Sequence, residues 1–600
     1  MFICVPSCLS TIVQPAPISV CTQPPTVVPT AMPTVVPTAT PTVVPTATPA
    51  PSTAPTVMPT IQYNDALCGL VAATNIKTLF KSYNYWNCTA DGFVATDPCD
   101  WGGVTCDSNG AIVALNLQNS GIIGTIPDTI GSLVDLSNLR INSNKNWGGT
   151  LPASIGQLVK LTALVLKGLS LTGTLPEEIG YMTELVVLSI SPSGSLGGTL
   201  PESLGSLVSL QSLSIFYTQL TGPLPSTFGG MRSLTYLYLG NNAFTGTLPE
   251  SMGNLTSMTR LIIQNTGDAL SGPLPSTFGG MVKLVSIELA GTGLDGPLPS
   301  SIGCLTKVSY LNLYDNLKLN GPLPSTIGSM SSLSYLYIQS CAINGTLPVT
   351  MGSLGTLRVL SISDSQFSLP FPESFGSMSA LSSLSLSQND KLGGTVPHVI
   401  GCLPSLSTLN IDYSYFDSLP ESLGNLTTLR SFSLSYNSRM RGPLSSAIGE
   451  MSALSQLAIS YSSFTGFLPE NIGSLSSLKR IYMSGNSRMN GTFPSSFGQL
   501  HQLTSIYFEG CPVGGTLPPS IGSLTSLRTM TLSSTSISGT IPAEIGSLMY
   551  LTYISLTNTG IMGEVPSSIG SMINLSYLYL QNTKLTGSVP SSIGSMINLS

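Results

Sequence analysis

Charge is what this sequence has least of. Of its 600 residues, 21 are Lys or Arg and 27 are Asp or Glu, which makes 8% charged residues and a net charge of −6. A soluble protein ordinarily carries about 25%. Without clustered cations to displace counterions, the chain is not a nucleic-acid binder. Long apolar runs are missing as well. Gly, Ser, Pro or Thr interrupts every apolar stretch before the about 18–20 residues that a membrane helix needs. A mean hydropathy of +0.33 excludes the opposite extreme, a highly charged disordered chain. With so few charges, the surface has to be built largely from Ser, Thr, Gly and Asn.

What the chain does have is a repeat. A Pro after Leu, Ile or Val recurs from Pro127 to Pro590, with Leu444-Ser445 standing in once, at a spacing of roughly 24 residues. The unit is clear in Leu234-Thr-Tyr-Leu237-Tyr-Leu239, followed by Asn242, Phe244, Gly246, Leu248 and Pro249. Its apolar residues alternate with period two, which predicts a short strand with one buried face. The Asn, Thr, Ser or Cys three residues past the strand is a turn residue able to bond the neighbouring backbone. The following Leu-Pro pair predicts an extended return path, because Pro fixes φ and lacks a donor. One unit cannot bury its own leucines, so many must stack into a solenoid.

Two other segments precede the repeats. Residues 1–63 lack any charge, and Pro recurs every fourth residue from Pro29 to Pro49. Such a tract is expected to be a disordered, polyproline-like linker or stalk, with its Thr residues open to O-linked sugars. Met1 to Val13 lacks the basic leading region of a signal peptide. Residues 64–110 hold Cys68, Cys88, Cys99 and Cys106, which suggests a disulfide-stapled cap over the first coil. Three pairings are open; the expected one is Cys68–Cys88 with Cys99–Cys106. The solenoid then occupies residues 111–600.

The cap and repeats carry a resemblance. Asp97-Pro-Cys99-Asp-Trp101-Gly-Gly-Val-Thr-Cys106 resembles the amino-terminal cap of plant-type extracellular leucine-rich-repeat proteins, such as receptor-kinase ectodomains and polygalacturonase inhibitors. The stretch Leu70 to Trp86 resembles the helix of that cap. The Gly-x-(Leu/Ile)-Pro repeats are similar to the same subclass, and Gly-Thr-Leu-Pro is similar to repeats of kinetoplastid surface antigens. The resemblance implies an α/β fold, a leucine-rich-repeat solenoid with a parallel β-sheet on its concave face. It also implies an extracellular or cell-surface location. The chain stops at Ser600 inside a repeat, with Val589 to Ser600 identical to Val565 to Ser576. It therefore reads as part of something longer, with any membrane anchor or kinase lobe outside it.

Chemistry is scarce. His398 and His501 lie about four repeats apart, roughly 20 Å along such a stack, too far for one site. Cys341 and Cys511 fall at the turn-residue position and read as buried polar substitutes. Cys304 and Cys402 occupy equivalent positions four coils apart, too distant to bridge to each other. No catalytic, metal or cofactor motif appears, and no enzyme is expected.

The exposed strand positions are more informative. Tyr236, Tyr238, Tyr310, Tyr335, Tyr337, Tyr482, Tyr507, Tyr553, Tyr577 and Tyr579 alternate with buried apolar residues, so ten of the 21 tyrosines belong on the concave sheet. Tyr has β-propensity of its own, but amid Ser, Thr and Asn it also makes a recognition strip of large area and low entropic cost. Such a face suits a peptide, protein or glycan ligand. Cations at Lys318, Lys391, Arg439 and Arg488 are expected along one lateral edge. N-glycosylation sequons occur at Asn87, Asn254, Asn344, Asn425, Asn490, Asn574 and Asn598. Asn254, Asn425, Asn574 and Asn598 are expected to share one repeat position on the convex return path. The function expected is non-catalytic recognition through the concave sheet. The alternatives are a receptor-kinase ectodomain fragment and a structural coat or wall glycoprotein.

Overall fold

The computed structural model describes residues 60–76, 86, 88, 89 and 97–600. Apart from its last residues, the expected Thr/Pro stalk lies outside them, as does the sequon at Asn87. The described chain falls into two compact units. The first runs to Thr245 and includes Pro249–Met258; the second comprises Gly246–Leu248 and Thr259–Ser600.

The first unit opens with the cap. Its α-helix, Thr60–Ala73, starts ahead of the Leu70 that the resemblance implied, and packs on the return turn Asp128–Ser132. Ala66, Leu67 and Leu70 are fully buried there. The disulfides are Cys68–Cys88 and Cys99–Cys106, as expected. Trp86 and Trp101 close the cap with ring centroids 5.1 Å apart. Val104–Cys106 pairs antiparallel with Ile112–Asn116 and Thr74 makes an antiparallel bridge to Gly124, while the later strand-to-strand pairings among the described residues are parallel. The ladder passes through Asn138–Arg140, Ala163–Gly173, Val187–Gly198 and Ser212–Ile215 to Tyr236–Tyr238.

The second unit repeats this pattern from Arg260–Ile262 to Tyr577–Tyr579. The central residue of each strand pairs with its equivalent, as Leu311 with Leu336 and Leu336 with Leu360. These residues are fully buried. A slip of one residue would turn the whole apolar column to solvent, so the register is fixed by burial.

The return path differs from expectation. It is not extended throughout: each anchor leads into a single 3-10 turn, such as Ser300–Cys304 after Pro299 or Ser325–Ser329 after Pro324. The Pro residues themselves are extended, with φ near −69° at Pro299. The missing N–H costs nothing at a turn's first position, and the Pro carbonyl is used, accepting from Ile302 N at 3.1 Å in the case of Pro299. Where Ser445 replaces the Pro, its hydroxyl accepts from Ala447 N at 3.1 Å and caps the turn instead. A second set of short strands also went unforeseen. Asp295–Gly296, Asn316–Pro322, Cys341–Gly345 and Gln366–Phe367 pair in parallel beyond the turn residues.

The turn residues stitch coil to coil. Asn437 donates through Nδ2 to Ile411 O (2.9 Å) in the preceding coil and to Leu434 O (2.8 Å) in its own, while its Oδ1 accepts from Ser414 N (2.9 Å). Asn316, Asn389 and Asn486 are likewise fully buried and donate across coils. Cys341 and Cys511 take the same place, their thiols donating to Leu313 O and Met483 O. Burial pushes the two thiols up to about 12 and about 11 respectively.

The four return-path sequons do not share one position. Asn254 and Asn425 end the turns Glu250–Asn254 and Glu421–Asn425, whereas Asn574 and Asn598 lie three residues beyond Ser567–Ser571 and Ser591–Ser595. Gly-Asn-Leu-Thr and Ile-Asn-Leu-Ser look alike locally but sit at different distances from their prolines.

Candidate binding surface

All ten tyrosines of the sequence strip lie in strands, beside a central residue that is buried in every case except Leu578, which is half-buried between Tyr577 and Tyr579. They do not form one strip. In the first unit Tyr238 stacks on Phe216, with centroids 4.6 Å apart. In the second unit Tyr310 gathers Tyr335 and Tyr337 at 6.2 and 5.7 Å. Tyr482 and Tyr507 stack at 5.0 Å, and Tyr553 meets Tyr577 and Tyr579 at 6.0 and 5.5 Å. Beside the Tyr310 group lies the ion pair Arg260–Glu288, 2.9 Å. Burial, and then the Glu288 charge, hold the Tyr310 phenol above its ordinary value.

Between the Tyr310 group and the Tyr482 pair, the sheet is floored by short hydroxyls. Ser363 and Ser385 share a 2.7 Å hydrogen bond, and Ser387 and Ser435 are nearly buried. One carboxylate interrupts this floor. Asp412 accepts from Ser433 Oγ and Ser435 N, both at 2.6 Å and both at Oδ1. Burial raises its pKa, and those two hydrogen bonds partly oppose the rise.

Along the carboxyl-terminal edge of the strands runs a feature that sequence reasoning missed. In nearly every coil the residue before the turn residue has a left-handed backbone, and it is commonly Asn, Asp, Ser or Gly. In three consecutive coils it is Tyr: Tyr413 (φ 52°), Tyr436 (φ 61°) and Tyr461 (φ 53°). Their rings form a ladder, 4.3 Å apart and 5° from parallel for the first pair, 4.8 Å and 12° for the second. The side chains remain 50%, 43% and 53% exposed. The ladder ends where the next coil places Gly485, whose missing Cβ would have met the Tyr461 ring at 2.3 Å. A left-handed backbone costs a non-Gly residue roughly 1–2 kcal/mol, and each stacked pair returns about 0.5–1.5 kcal/mol. Three strained residues against two stacked pairs leave about half of the strain uncompensated, a cost that Asn at these positions would avoid. The signal was present in the sequence, as a Tyr directly before Ser414, Asn437 and Ser462.

The remaining candidates are more ordinary. Lys318 pairs with Asp268 at 3.1 Å, and the Arg439 guanidinium lies 4.7 Å from the centre of the Tyr415 ring, so these edge cations are engaged within the protein. His398 faces Glu373 at 3.3 Å, and His501 Nδ1 lies 3.1 Å from Ser523 O; both are exposed and coils apart. Among the described residues, no group of three or more His, Cys, Asp or Glu is placed to hold a metal, and no helix is long and apolar enough to cross a membrane. A hollow of about 470 Å³ opens on the return side, lined by Glu421, Gly424, Asn425 and Glu450, away from the sheet. A second hollow of about 330 Å³ opens where the strands begin, lined by Lys479, Thr504, Arg528 and Tyr550.

Comparison with known proteins agrees with this architecture. A leucine-rich-repeat family model matches residues 208–267 and 355–416, and a second matches 526–548 and 574–596. A probable leucine-rich repeat receptor-like protein kinase of Arabidopsis thaliana is 33% identical over 87 residues, 14% of this chain and 9% of that protein. The Arabidopsis receptor-like protein kinase BRI1-like 3 is 48% identical over 44 residues, 7% of this chain and 4% of that protein. The alignments thus span less than a tenth of these relatives. Among solved structures, the Arabidopsis receptor kinase HAESA, in complex with the peptide hormone IDA and the co-receptor SERK1, matches with a TM-score of 0.62 and 26% identity, covering 90% of this chain and 88% of that one. The PEPR1–AtPEP1 structure matches with a TM-score of 0.59 and 27% identity, covering 90% and 81%. Cap, repeat and whole-chain likeness coincide: the chain has a leucine-rich-repeat receptor-like ectodomain fold and is similar to the plant extracellular proteins of that class.

Proposed function

We propose that this chain recognises a peptide or protein ligand through its concave sheet, without catalysis. One observation carries the reading: a parallel sheet floored by serines and flanked by tyrosine clusters, where a structural sheet would need neither. Support comes from solved ectodomains of the same fold, among them HAESA in complex with a peptide hormone. Every described element belongs to the cap or the repeats, so the chemistry available is that of surface recognition. Tyr offers large contact area at little entropic cost, and serines let a ligand backbone approach closely. Replacing Tyr310, Tyr335 and Tyr337 with Ala should weaken ligand capture at least tenfold while the melting temperature stays near wild type. Unchanged capture by that variant would remove these tyrosines from the site.

The full protein is proposed to be a receptor of this class, with effector segments outside the present chain; the open reading frame past Ser600 tests this. Exposed Asn254, Asn425, Asn490, Asn574 and Asn598, and half-exposed Asn344, are proposed to carry N-glycans. Those on the return side would leave the sheet bare. A mass shift on enzymatic deglycosylation of the secreted protein, mapped to these residues, is the check.

A further inference from the structure

We propose that Tyr413, Tyr436 and Tyr461, with Asp412 and the serine floor beside them, form the subsite that grips a basic, extended segment of a peptide ligand. The inference rests on the recognition reading above and deepens it to a place and a chemistry.

Three observations converge on this spot. First, the ladder sets three large side chains at backbone positions that disfavour them, in consecutive coils, and leaves them about half exposed. Strain retained at an exposed position is better explained by a contact than by packing. Second, the rings already cover one another's faces, so what they offer a ligand is a wall of ring edges and hydroxyls. Such a wall suits the aliphatic stem of a Lys or Arg side chain with its main chain laid along the floor. Partial burial, then the Tyr413 hydroxyl and the Asp412 charge, hold the Tyr436 phenol above its ordinary value.

Third, charge selects the occupant. In the row just past the strand ends that Asp412 shares with Ser363, Ser387, Ser435 and Ser460, it is the one charged residue. In the ladder row the exposed Asp364 adds a second carboxylate two coils before Tyr413. The two hydrogen bonds of Asp412 both go to Oδ1, and Oδ2 takes no donor among the described residues. Arg358 and Arg430 precede their strands at the opposite edge, about five residues or ~16 Å of strand away. Arg439 is engaged over Tyr415. A half-buried carboxylate with an open oxygen, next to an amphipathic wall, is complementary to an ammonium or guanidinium on a ligand. The serines on either side are too short to obstruct a main chain lying across the coils.

The test pans the purified full chain against a displayed library of random short peptides, followed by titration of synthetic versions of the enriched sequences. Enrichment of Lys or Arg at one fixed position is expected. Asp412→Asn should weaken those peptides about tenfold or more, because it keeps the hydrogen-bonding shape and removes the charge. The variant Tyr413→Asn/Tyr436→Asn/Tyr461→Asn should lose them while melting no lower than wild type, since Asn accepts the left-handed backbone. Enriched peptides without a basic position, or affinities indifferent to both variants, would overturn the proposal, as would binding of oligosaccharides in place of peptides on a glycan array. If peptides bind but respond only to the Tyr310, Tyr335 and Tyr337 replacements, this subsite fails and concave-sheet recognition stands. If no peptide is enriched and no protein is captured, both fail.

Discussion

The Tyr413 and Tyr436 rings lie 4.3 Å apart and within 5° of parallel, on two residues that both have left-handed backbones. Strain and stacking therefore meet in the same side chains. Tyr413→Asn or Tyr413→Gly, which breaks one stacked pair and relieves one left-handed backbone, should leave thermal stability unchanged or raise it slightly, against the usual expectation for deleting a stacked aromatic. A fall of several degrees in the melting temperature would show that the stack is worth more than the strain.

The buried asparagines should behave in the opposite way. Asn437 satisfies two carbonyls and one amide across two coils. Asn437→Ala should destabilise by about 2–3 kcal/mol, read as a lower urea midpoint, because buried backbone groups lose their partners. Asn437→Ser should cost less, since Ser414 and Ser462 serve at the same place in neighbouring coils.

Cys341 and Cys511 should resist labelling. Burial raises their thiols to about 12 and about 11, so at neutral pH almost no thiolate forms in the folded state. Disulfide-exchange reagents should modify both at least tenfold more slowly in buffer than in urea. The folded pKa values lie above the unfolded one, so this contribution to stability is complete below the unfolded thiol's range, near 8.5. It is lost as pH climbs through about 11–12. Rapid native labelling at pH 7 would contradict the burial.

Asp135 ties the cap to the repeats. It accepts from Tyr63 Oη at 2.7 Å and from Lys160 Nζ at 2.6 Å. These two donors hold its carboxyl below the ordinary range, so its stabilising effect is present above that range and fades as pH falls through the lowered value. Burial first, and then Asp135, push the Tyr63 phenol up to about 12, so its share is lost only at strongly alkaline pH. Asp135→Asn should speed hydrogen exchange in the helix Thr60–Ala73 while leaving the distant coils unchanged. Uniform faster exchange would mean a global rather than a local effect.

The sequence by itself determined the coil. Period-two leucines, a turn residue and a proline at a constant interval specify strand, stitch and return. The cap's Cys and Trp spacing pointed to its disulfides in the same way, because each of these signals is local or strictly periodic. What the tertiary structure alone decided lies across coils. Proline's fixed φ suits the start of a 3-10 turn as well as an extended path, and only packing on the neighbouring coil chose the turn. Backbone handedness before Ser414, Asn437 and Ser462 is imposed by the turn that brings those residues into the stack. That imposed handedness aligned three tyrosines, distant in sequence, into one exposed ladder beside Asp412. Lateral distances of 4–5 Å between residues some 24 apart are set by stacking, and stacking is what a linear reading does not contain.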